Sequence, residues 1–302
     1  MAYRIVTLGD SVPWGQGLLE QQKYDFLIEA ALTPDHPEGI TIERLAHSGA
    51  VAAPGNGQAA PAGEVPAPYP SILAQVDSVT SPETVDLVLL NGGINDVGVA
   101  TILNPLAFVP PLAERVRTAC YHSMLRVLQH ASAVFTKPSA RLCVTDYYPI
   151  LSDRSDPLGI SALLHMHGLQ TPDFVDVKLF HNVVVDRCEE FFSISTDSLR
   201  RAVNDAGDSR MIFVTSGFTD ENALFVPGTS FLWGLDKELE PEDPVAAPRH
   251  VQCDLTFAEP LQFAQREQCY RASAGHPNPH GAAQFARQVL AALHTDALAA
   301  GA

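Results

Sequence analysis

Short apolar segments with the composition of buried β-strands recur along the chain, separated by longer segments with helical spacing. The strand-like segments are Ile5–Leu8, Ile40–Ala46, Val85–Leu90, Arg141–Tyr147 and Met211–Thr215. The helix-like segments are Gln21–Leu32, Val109–Ala133, Phe174–Ala206 and Ala282–Leu298. Strands that alternate with helices are joined by right-handed crossovers and form a parallel sheet. The pattern therefore predicts an α/β fold with a buried parallel sheet.

Polar motifs follow three of the predicted strands, and a fourth stands just before the last helix. They are Gly9-Asp10-Ser11, Ser48-Gly49, Gly93-Ile94-Asn95-Asp96 and His276-Pro277. Turn formation or helix capping explains each motif taken alone. In open α/β sheets, however, ligands bind at the carboxyl ends of the strands. Together the motifs supply a hydroxyl, a backbone N–H beside a glycine, a side-chain amide and an imidazole, the groups that acyl transfer requires.

The four motifs, in this order, resemble the sequence blocks of the SGNH (GDSL-type) hydrolases. Gly9-Asp10-Ser11 matches the first block, Gly49 the second, Gly93-Ile94-Asn95-Asp96 the third, and His276-Pro277 the last. The resemblance spans nearly the whole chain. It implies a three-layer α/β/α sandwich of the flavodoxin-like type, with a five-stranded parallel sheet at its centre.

The resemblance also implies a role for each matched residue. Ser11 is the expected nucleophile, and His276 is the general base that takes its proton and returns it to the leaving alcohol. The backbone N–H groups of Ser11 and Gly49 and the side-chain amide of Asn95 are the expected oxyanion hole. Because an unperturbed imidazole titrates at a pH of about 6.5, we expect activity to rise with pH through that value.

The sequence departs from the family pattern at one position, where Ser273 replaces the usual Asp three residues before the histidine. The imidazole then needs another acceptor for its Nδ1–H. The candidates are the Ser273 hydroxyl, a backbone carbonyl of residues 271–275, and a displaced carboxylate such as Asp254 or Glu267. We favour the backbone carbonyl, because it requires no particular side chain at position 273.

The composition fits one large domain and argues against nucleic acid as a partner. The 302 residues, 46% of them hydrophobic, suffice for a single α/β domain spanning 1–302. A long loop is expected at 50–70, where Ala, Pro and Gly dominate, and a lid or insertion at 216–270. The formal net charge of −16 repels phosphate backbones.

The sequence bears on location only indirectly. It contains no apolar run long enough to span a bilayer, and its first residues enter a strand at once, leaving no room for a signal peptide. We therefore expect a cytoplasmic protein, or a secreted one if a leader has been removed. The five cysteines are odd in number and lack a Cys-x-x-Cys pair, which favours reduced thiols, although a Cys253–Cys269 bridge stays open.

Neither a metal nor a cofactor is expected. His276 and His280 have the i, i+4 spacing of a metal-binding pair, but Pro277 and Pro279 prevent a helix between them. No carboxylate or cysteine motif nearby completes a site. The sequence predicts no oligomeric state.

Aromatic residues raise the question of the substrate. Phe231 and Trp233 lie in an apolar segment, 218–235, that has no clean period, and Trp14 closely follows the nucleophile. These side chains either pack a long loop onto the core or line an acyl site. If they line an acyl site, the substrate-binding residues are Trp14, Phe231 and Trp233.

The sequence thus predicts a serine hydrolase that cleaves carboxylic esters of lipid-like or medium-chain acyl groups through an acyl-enzyme on Ser11. A carbohydrate acetylesterase, a thioesterase or an acyltransferase would use the same residues. A non-catalytic binding module on the same fold is a further alternative, but it predicts the loss of a site residue, and none is lost.

Overall fold

A computed structural model describes residues 2–53, 60–61, 63–107, 109–170, 176–236 and 238–300. Within these residues the strands are β1 (Tyr3–Gly9), β2 (Ile40–Arg44), β3 (Leu87–Asn91), β4 (Arg141–Thr145) and β5 (Met211–Val214). They form one five-stranded sheet in the order β2-β1-β3-β4-β5, and every neighbouring pair is parallel. This arrangement confirms the predicted strands and the predicted sheet.

The central strands are apolar because both faces of the sheet are covered. All five residues of β3 are buried, as are the last five of β1. Strands buried on both faces lack the alternation of half-buried strands and have near-continuous apolar sequences. That is the pattern of Val85–Leu90.

The α-helices, numbered in chain order, are α1 (Ser11–Trp14), α2 (Tyr24–Leu32), α3 (Ile72–Asp77), α4 (Ile94–Val97), α5 (Val99–Leu103), α6 (Leu112–Val116), α7 (Met124–Val134), α8 (Pro157–Met166), α9 (Val177–Ala206), α10 (Ala246–Thr256), α11 (Phe263–Tyr270) and α12 (Pro279–Ala300). Helices α2 and α12 pack together on one side of the sheet, whereas α3, α7 and α9 pack in a row on the other. The three-layer α/β/α architecture is therefore confirmed.

Two predicted helices differ from the observed ones at their ends. The helix predicted over Val109–Ala133 begins only at Leu112, after Pro111, and contains a π-helical segment at Arg117–Ser123. The helix predicted from Phe174 begins at Val177, where the Asp176 side chain accepts a hydrogen bond from the Leu179 N–H. Phe174 itself lies outside the described residues.

The segment 216–270, predicted as a lid or insertion, leads from β5 through an irregular stretch into α10 and α11. A disulfide bond between Cys253 and Cys269 joins the two helices, and with Val65 of the 50–70 loop these cysteines form a small apolar cluster. The possibility left open by the sequence is thus realised. Disulfides persist mainly in oxidising compartments, which weighs against the expected cytoplasmic location.

Two further observations bound the fold. Of the residues 50–70, those at 54–59 and 62 are outside the described part, so the predicted loop is seen only in pieces. No helix among the described residues combines the length and apolar character needed to cross a bilayer.

Candidate active site

Ser11 stands where β1 turns sharply into the short helix α1. The turn requires glycine at position 9, where φ is +128° and an added Cβ would lie 2.2 Å from the Asn91 carbonyl oxygen. The buried Asp10 caps α1 by accepting the Val12 N–H at 3.0 Å. The Ser11 side chain is thereby held at the carboxyl end of a central strand. This is the place where the strand order of the sheet reverses direction, between β1 and β3.

Asp10 also links the serine to the loop after β3. The Tyr147 hydroxyl donates to the second oxygen of Asp10 at 2.8 Å and accepts the Ile94 N–H, also at 2.8 Å. Burial is the main reason that the pKa of Asp10 rises to about 6, partly offset by the hydrogen bonds from Val12 and Tyr147. This series of hydrogen bonds fixes the position of the Ser11 turn relative to the start of α4, the helix that carries Asn95.

The structure brings Ser11 and His276 together, although 265 positions separate them in the chain. The Ser11 Oγ lies 2.7 Å from the His276 Nε2, within hydrogen-bond distance. A nucleophile and a base in such contact can pass a proton as the hydroxyl attacks.

The surroundings of His276 keep its imidazole neutral. The pKa of His276 is lowered to about 4, mainly by burial, and the nearby Arg249 guanidinium contributes in the same direction. The Asp243 carboxylate and the backbone carbonyls of Ser273 and Ala274 act in the opposite direction. A neutral imidazole is the form that accepts a proton, so His276 is ready to act as a base well below neutral pH. The expected rise of activity at a pH near 6.5 therefore moves to a more acidic pH.

The loop that carries His276 is held by residues far away in sequence. The Trp233 N–H donates to the His276 carbonyl at 2.8 Å, and the Gly275 N–H donates to the Trp233 carbonyl at 2.9 Å. The Tyr148 hydroxyl donates to the Gly275 carbonyl at 3.0 Å. An antiparallel bridge between Leu232 and Pro277 extends this pairing past the histidine.

The Nδ1 atom of His276 is buried and has no hydrogen-bond partner among the described residues. The carbonyls of Ser273 and Ala274 nevertheless lie close enough to raise the pKa of the ring. The Ser273 hydroxyl is directed elsewhere, because it donates to the Asp243 carboxylate at 2.5 Å. Of the suggested acceptors, the backbone carbonyls are the ones that act on the pKa of the ring.

The two displaced carboxylates suggested by the sequence have other partners. Asp254 accepts a hydrogen bond from the Tyr270 hydroxyl on the protein surface. Glu267 pairs with Arg271, one helical turn further along, at 3.0 Å. Neither residue contacts His276 through a hydrogen bond of the described structure.

The three expected oxyanion-hole residues lie along the cavity that contains Ser11 and His276. At Gly49, φ is +84° and an added Cβ would lie 2.6 Å from the Ala67 nitrogen, so glycine is needed there. The Asn95 side chain donates one N–H to the Ala50 carbonyl at 3.0 Å. That bond fixes the orientation of the amide and leaves its second N–H for a substrate oxygen.

The cavity has a volume of about 470 Å³, which is within the range of about 300–1,000 Å³ typical of small-molecule sites. Its apolar wall includes Val99, Ile150, Leu163, Met166 and Leu224. Leu163 and Met166 are three residues apart on α8 and so share one face of that helix. Gln265, Gln268 and Arg271, on and just after α11, add polar groups to the lining.

The three residues predicted to bind substrate do not line this cavity. Trp14 donates its indole N–H to Glu64 at 3.0 Å. Phe231 packs edge-on against Phe218, with their ring centres 5.4 Å apart. Trp233 braces the His276 loop through its backbone. Of the apolar segment 218–235, Leu224 contributes to the cavity.

Sequence reasoning missed Tyr147 and Tyr148, which hold Asp10 and Gly275 in place. A signal for them was present, because Asp146-Tyr147-Tyr148 directly follows β4 and so stands at a strand end like the other motifs. Asp243 had no such signal, since it lies in an irregular segment.

Among the described residues, no group of three His, Cys, Asp or Glu side chains is placed to hold a metal ion. His280, suggested as a partner of His276, stacks near Phe231 instead, with ring centres 6.4 Å apart.

In the order of its four motifs the chain resembles the SGNH (GDSL-type) hydrolases. No protein-family model matches it, and no curated protein has a significantly similar sequence. Among solved structures it is similar to the lipase Lip_vut3 from a goat rumen metagenome, at 12% identity and a TM-score of 0.49, over 96% of this chain and 97% of that one. A carbohydrate acetylesterase family member from Sinorhizobium meliloti gives 10% identity, a TM-score of 0.49 and coverage of 97% and 98%. TesA has 13% sequence identity to this chain and a TM-score of 0.45, over 96% of this chain and 97% of that one.

Proposed function

We propose that this protein is a serine hydrolase that cleaves carboxylic esters through an acyl-enzyme on Ser11. The observation that carries the proposal is the 2.7 Å contact between Ser11 Oγ and His276 Nε2. It is supported by the lowered pKa of His276, about 4, which favours the neutral imidazole. The contact lies in a cavity that also contains Gly49 and Asn95. A helix cap or a binding module has no need of this combination.

In the acylation step, the Ser11 oxygen attacks the ester carbonyl carbon while its proton passes to His276 Nε2. The carbonyl oxygen becomes an oxyanion, which the N–H groups of Ser11, Gly49 and Asn95 stabilise. When the tetrahedral intermediate collapses, the bond to the alcohol oxygen breaks and His276 returns the proton to that oxygen. The acyl group is then bonded to Ser11.

In the deacylation step, a water molecule replaces the alcohol. His276 takes a proton from the water as its oxygen attacks the acyl carbon, and then returns that proton to Ser11 Oγ as the ester bond to the enzyme breaks. Removal of a single oxyanion-hole donor in such enzymes typically slows kcat by about 10²–10³-fold. An alcohol in place of water would make the same site an acyltransferase.

The imidazole is oriented, in this proposal, by the backbone of the loop that carries it. The carbonyls of Ser273 and Ala274 are near enough to raise the pKa of His276, and they need no particular side chain at position 273. A neutral acceptor fixes the tautomer but stabilises the developing imidazolium less than a carboxylate would.

For the substrate, the apolar wall favours a medium-chain or lipid-like acyl group over acetate. Val99, Ile150, Leu163, Met166 and Leu224 offer an alkyl chain a place out of water. An acetylated sugar would leave this wall unused. A thioester of a medium-chain acid fits the wall equally well.

Hydrolysis of p-nitrophenyl esters from acetate to dodecanoate tests catalysis and the acyl site together. We expect kcat/KM to peak at a medium chain length and to vanish in Ser11→Ala, while EDTA has no effect. A fluorophosphonate probe should label the wild-type protein at Ser11, located by mass spectrometry, but not the variant. Labelling at another residue, or activity lost on chelation and restored by a divalent ion, would contradict the proposal.

To test the apolar wall, Met166→Trp on the half-buried face of α8 should shorten the preferred chain, because the added ring occupies acyl space. Phe231→Ala, outside the cavity, is the matched control and should leave the chain-length preference unchanged. An unaltered preference in Met166→Trp would place the acyl group elsewhere.

A further inference from the structure

A fully buried arginine, Arg249, lies near His276. The Arg249 side chain, on α10, is 0% exposed. Its guanidinium donates to both oxygens of Asp243, at 2.5 and 3.2 Å, and lies 3.3 Å from Glu64. It also donates to the Tyr270 carbonyl at 2.9 Å and to the Ser273 hydroxyl oxygen at 3.2 Å. We refer to Glu64, Arg249 and Asp243 as the buried ion cluster.

On one side, the buried ion cluster is bonded to the loop that carries His276. The Ser273 hydroxyl, itself fully buried, donates to an oxygen of Asp243 at 2.5 Å. The Ser273 carbonyl in turn accepts the His276 backbone N–H at 2.9 Å. The carboxylate missing from position 273 is therefore present one hydrogen bond further away, on a residue 30 positions earlier in the chain.

On the other side, the buried ion cluster is bonded to the segment that follows the nucleophile. Glu64 accepts the Trp14 indole N–H at 3.0 Å and the Gly17 N–H at 2.8 Å. The side-chain amide of Gln16 donates to the Glu64 carbonyl at 3.0 Å. The segment that follows Ser11 is thus linked to the Arg249 guanidinium through Glu64. The loop that precedes His276 is linked to it through Ser273.

Stability alone does not account for this arrangement. Burying charges costs desolvation free energy, and apolar side chains of similar volume often give equal or greater stability. Two carboxylates face one guanidinium here, so the cluster has more negative than positive groups. One of these carboxylates, Asp243, raises the pKa of His276, whereas Arg249 lowers it.

We propose that Asp243 is a positioning residue for His276, acting through Ser273, and that Arg249 holds the Asp243 carboxylate in place. By fixing the Ser273 side chain, Asp243 also fixes the Ser273 carbonyl, which accepts the His276 backbone N–H at 2.9 Å. Its negative charge also stabilises the imidazolium that forms as Ser11 attacks. The catalytic meaning of this role rests on the proposed function.

The test variant is Asp243→Asn, which removes the charge and keeps the shape. Arg249 then retains Glu64 as a counter-charge, and the amide oxygen still accepts the Ser273 hydroxyl. On a p-nitrophenyl ester we expect kcat to fall at least about tenfold with KM changed less than about twofold, because the loss concerns the transition state rather than substrate binding. Asp254→Asn, a carboxylate on the exposed side of α10, is the control and should match the wild type.

A second measurement does not depend on turnover. The imidazole of His276 is followed by NMR as the pH falls from 7 until the ring is fully protonated, with the resonance assigned by its absence in His276→Ala. The groups that act on the ring are Asp243 and Arg249, with the Ser11 hydroxyl beside Nε2. Asp243→Asn should shift the midpoint to lower pH, and Asp254→Asn should not. A purely structural role for Asp243 would lower the melting temperature without this shift.

The outcomes separate the two proposals. An unchanged kcat and an unchanged midpoint in a folded Asp243→Asn would overturn the positioning role. If no ester is hydrolysed by the wild type, the proposed function fails, while the NMR titration still decides whether Asp243 acts on His276. If Asp243→Asn does not fold, Ser273→Ala replaces it, because the Asp243–Arg249 pair stays intact. We expect Ser273→Ala to lower kcat several-fold but by less than about tenfold, and a wild-type value would overturn the proposal.

Discussion

The two side chains proposed as nucleophile and base, Ser11 and His276, are held in different ways. Ser11 is supported by its own neighbours, since Gly9 makes the turn, Asp10 caps α1 and β1 anchors the segment in the sheet. His276 stands on a loop supported by remote residues: Trp233 and Tyr148 by hydrogen bonds, and Asp243 through Ser273. We call these the nucleophile side and the base side.

The difference shows where activity can be lost without loss of the fold. The nucleophile side is part of the central sheet, so disturbing it disturbs the core. The base side depends on several long-range contacts outside the sheet, and regions with few core contacts open at lower free energy than the core. We therefore expect the base side to be the less stable of the two.

Removing either catalytic group should have the largest effect. Ser11→Ala and His276→Ala should each lower kcat on p-nitrophenyl esters by at least about 10³-fold, because nucleophile and base act as a unit. For the same reason the double variant should be scarcely worse than either single one. Circular dichroism is the control for folding. Substantial activity in His276→Ala would remove the base side from the mechanism altogether.

The disulfide offers a way to weaken the base side alone. Cys253 and Cys269 are 16 positions apart, and closing a loop of about 15 residues is worth about 3 kcal/mol of unfolding free energy. In the Cys253→Ser/Cys269→Ser variant we expect activity to disappear on heating below the temperature at which the sheet melts by circular dichroism.

Reductant provides the matched control for this variant. Dithiothreitol should bring the wild type to the behaviour of the double variant and leave the variant itself unchanged. If activity and circular dichroism are lost at one temperature in all samples, the two sides form a single cooperative unit.

The dependence of kcat/KM on pH tests the protonation state of His276, on the base side. His276 must be neutral to accept a proton, and burial lowers its pKa to about 4. The value of log(kcat/KM) should therefore be flat from neutral pH down to about 5, then fall with unit slope, about tenfold per pH unit, below about 4. Fluorescence at each pH excludes unfolding. A fall centred near pH 6.5 would mean that the ring is solvated in the working enzyme.

The smallest effect is expected on substrate preference. Phe231→Ala and Trp233→Ala should change activity on acetate and on medium-chain esters by the same factor, because neither side chain lines the cavity. The ratio of the two kcat/KM values is the measurement. A loss of activity confined to medium-chain esters would mean that both side chains contact the acyl group, as the sequence analysis predicted.

Much of the fold and of the site could be predicted because it depends on local sequence. A buried strand needs a run of apolar residues, and each strand of the sheet has one. Parallel strands place their carboxyl ends at one edge, so Ser11, Gly49 and Asn95 had to lie close together once the strands were assigned. The glycines at positions 9 and 49 follow from turns that no side chain could occupy.

The sequence did not predict the orientation of the aromatic side chains of Phe231 and Trp233. Apolar composition indicated that Phe231 and Trp233 would be buried, but not whether they face the cavity or the His276 loop. Their segment pairs with residues 276–278, and such a pairing between irregular segments leaves no periodic signal in the sequence.

The sequence by itself determined the strand ends and the chemical groups placed there, because both follow from periodicity and residue type. Only the tertiary structure decided the protonation of His276 and the partner of Ser273. The first is set by burial, which depends on every element packed around the ring. The second is Asp243, which an irregular segment brings to Ser273 and which no spacing rule connects to the histidine.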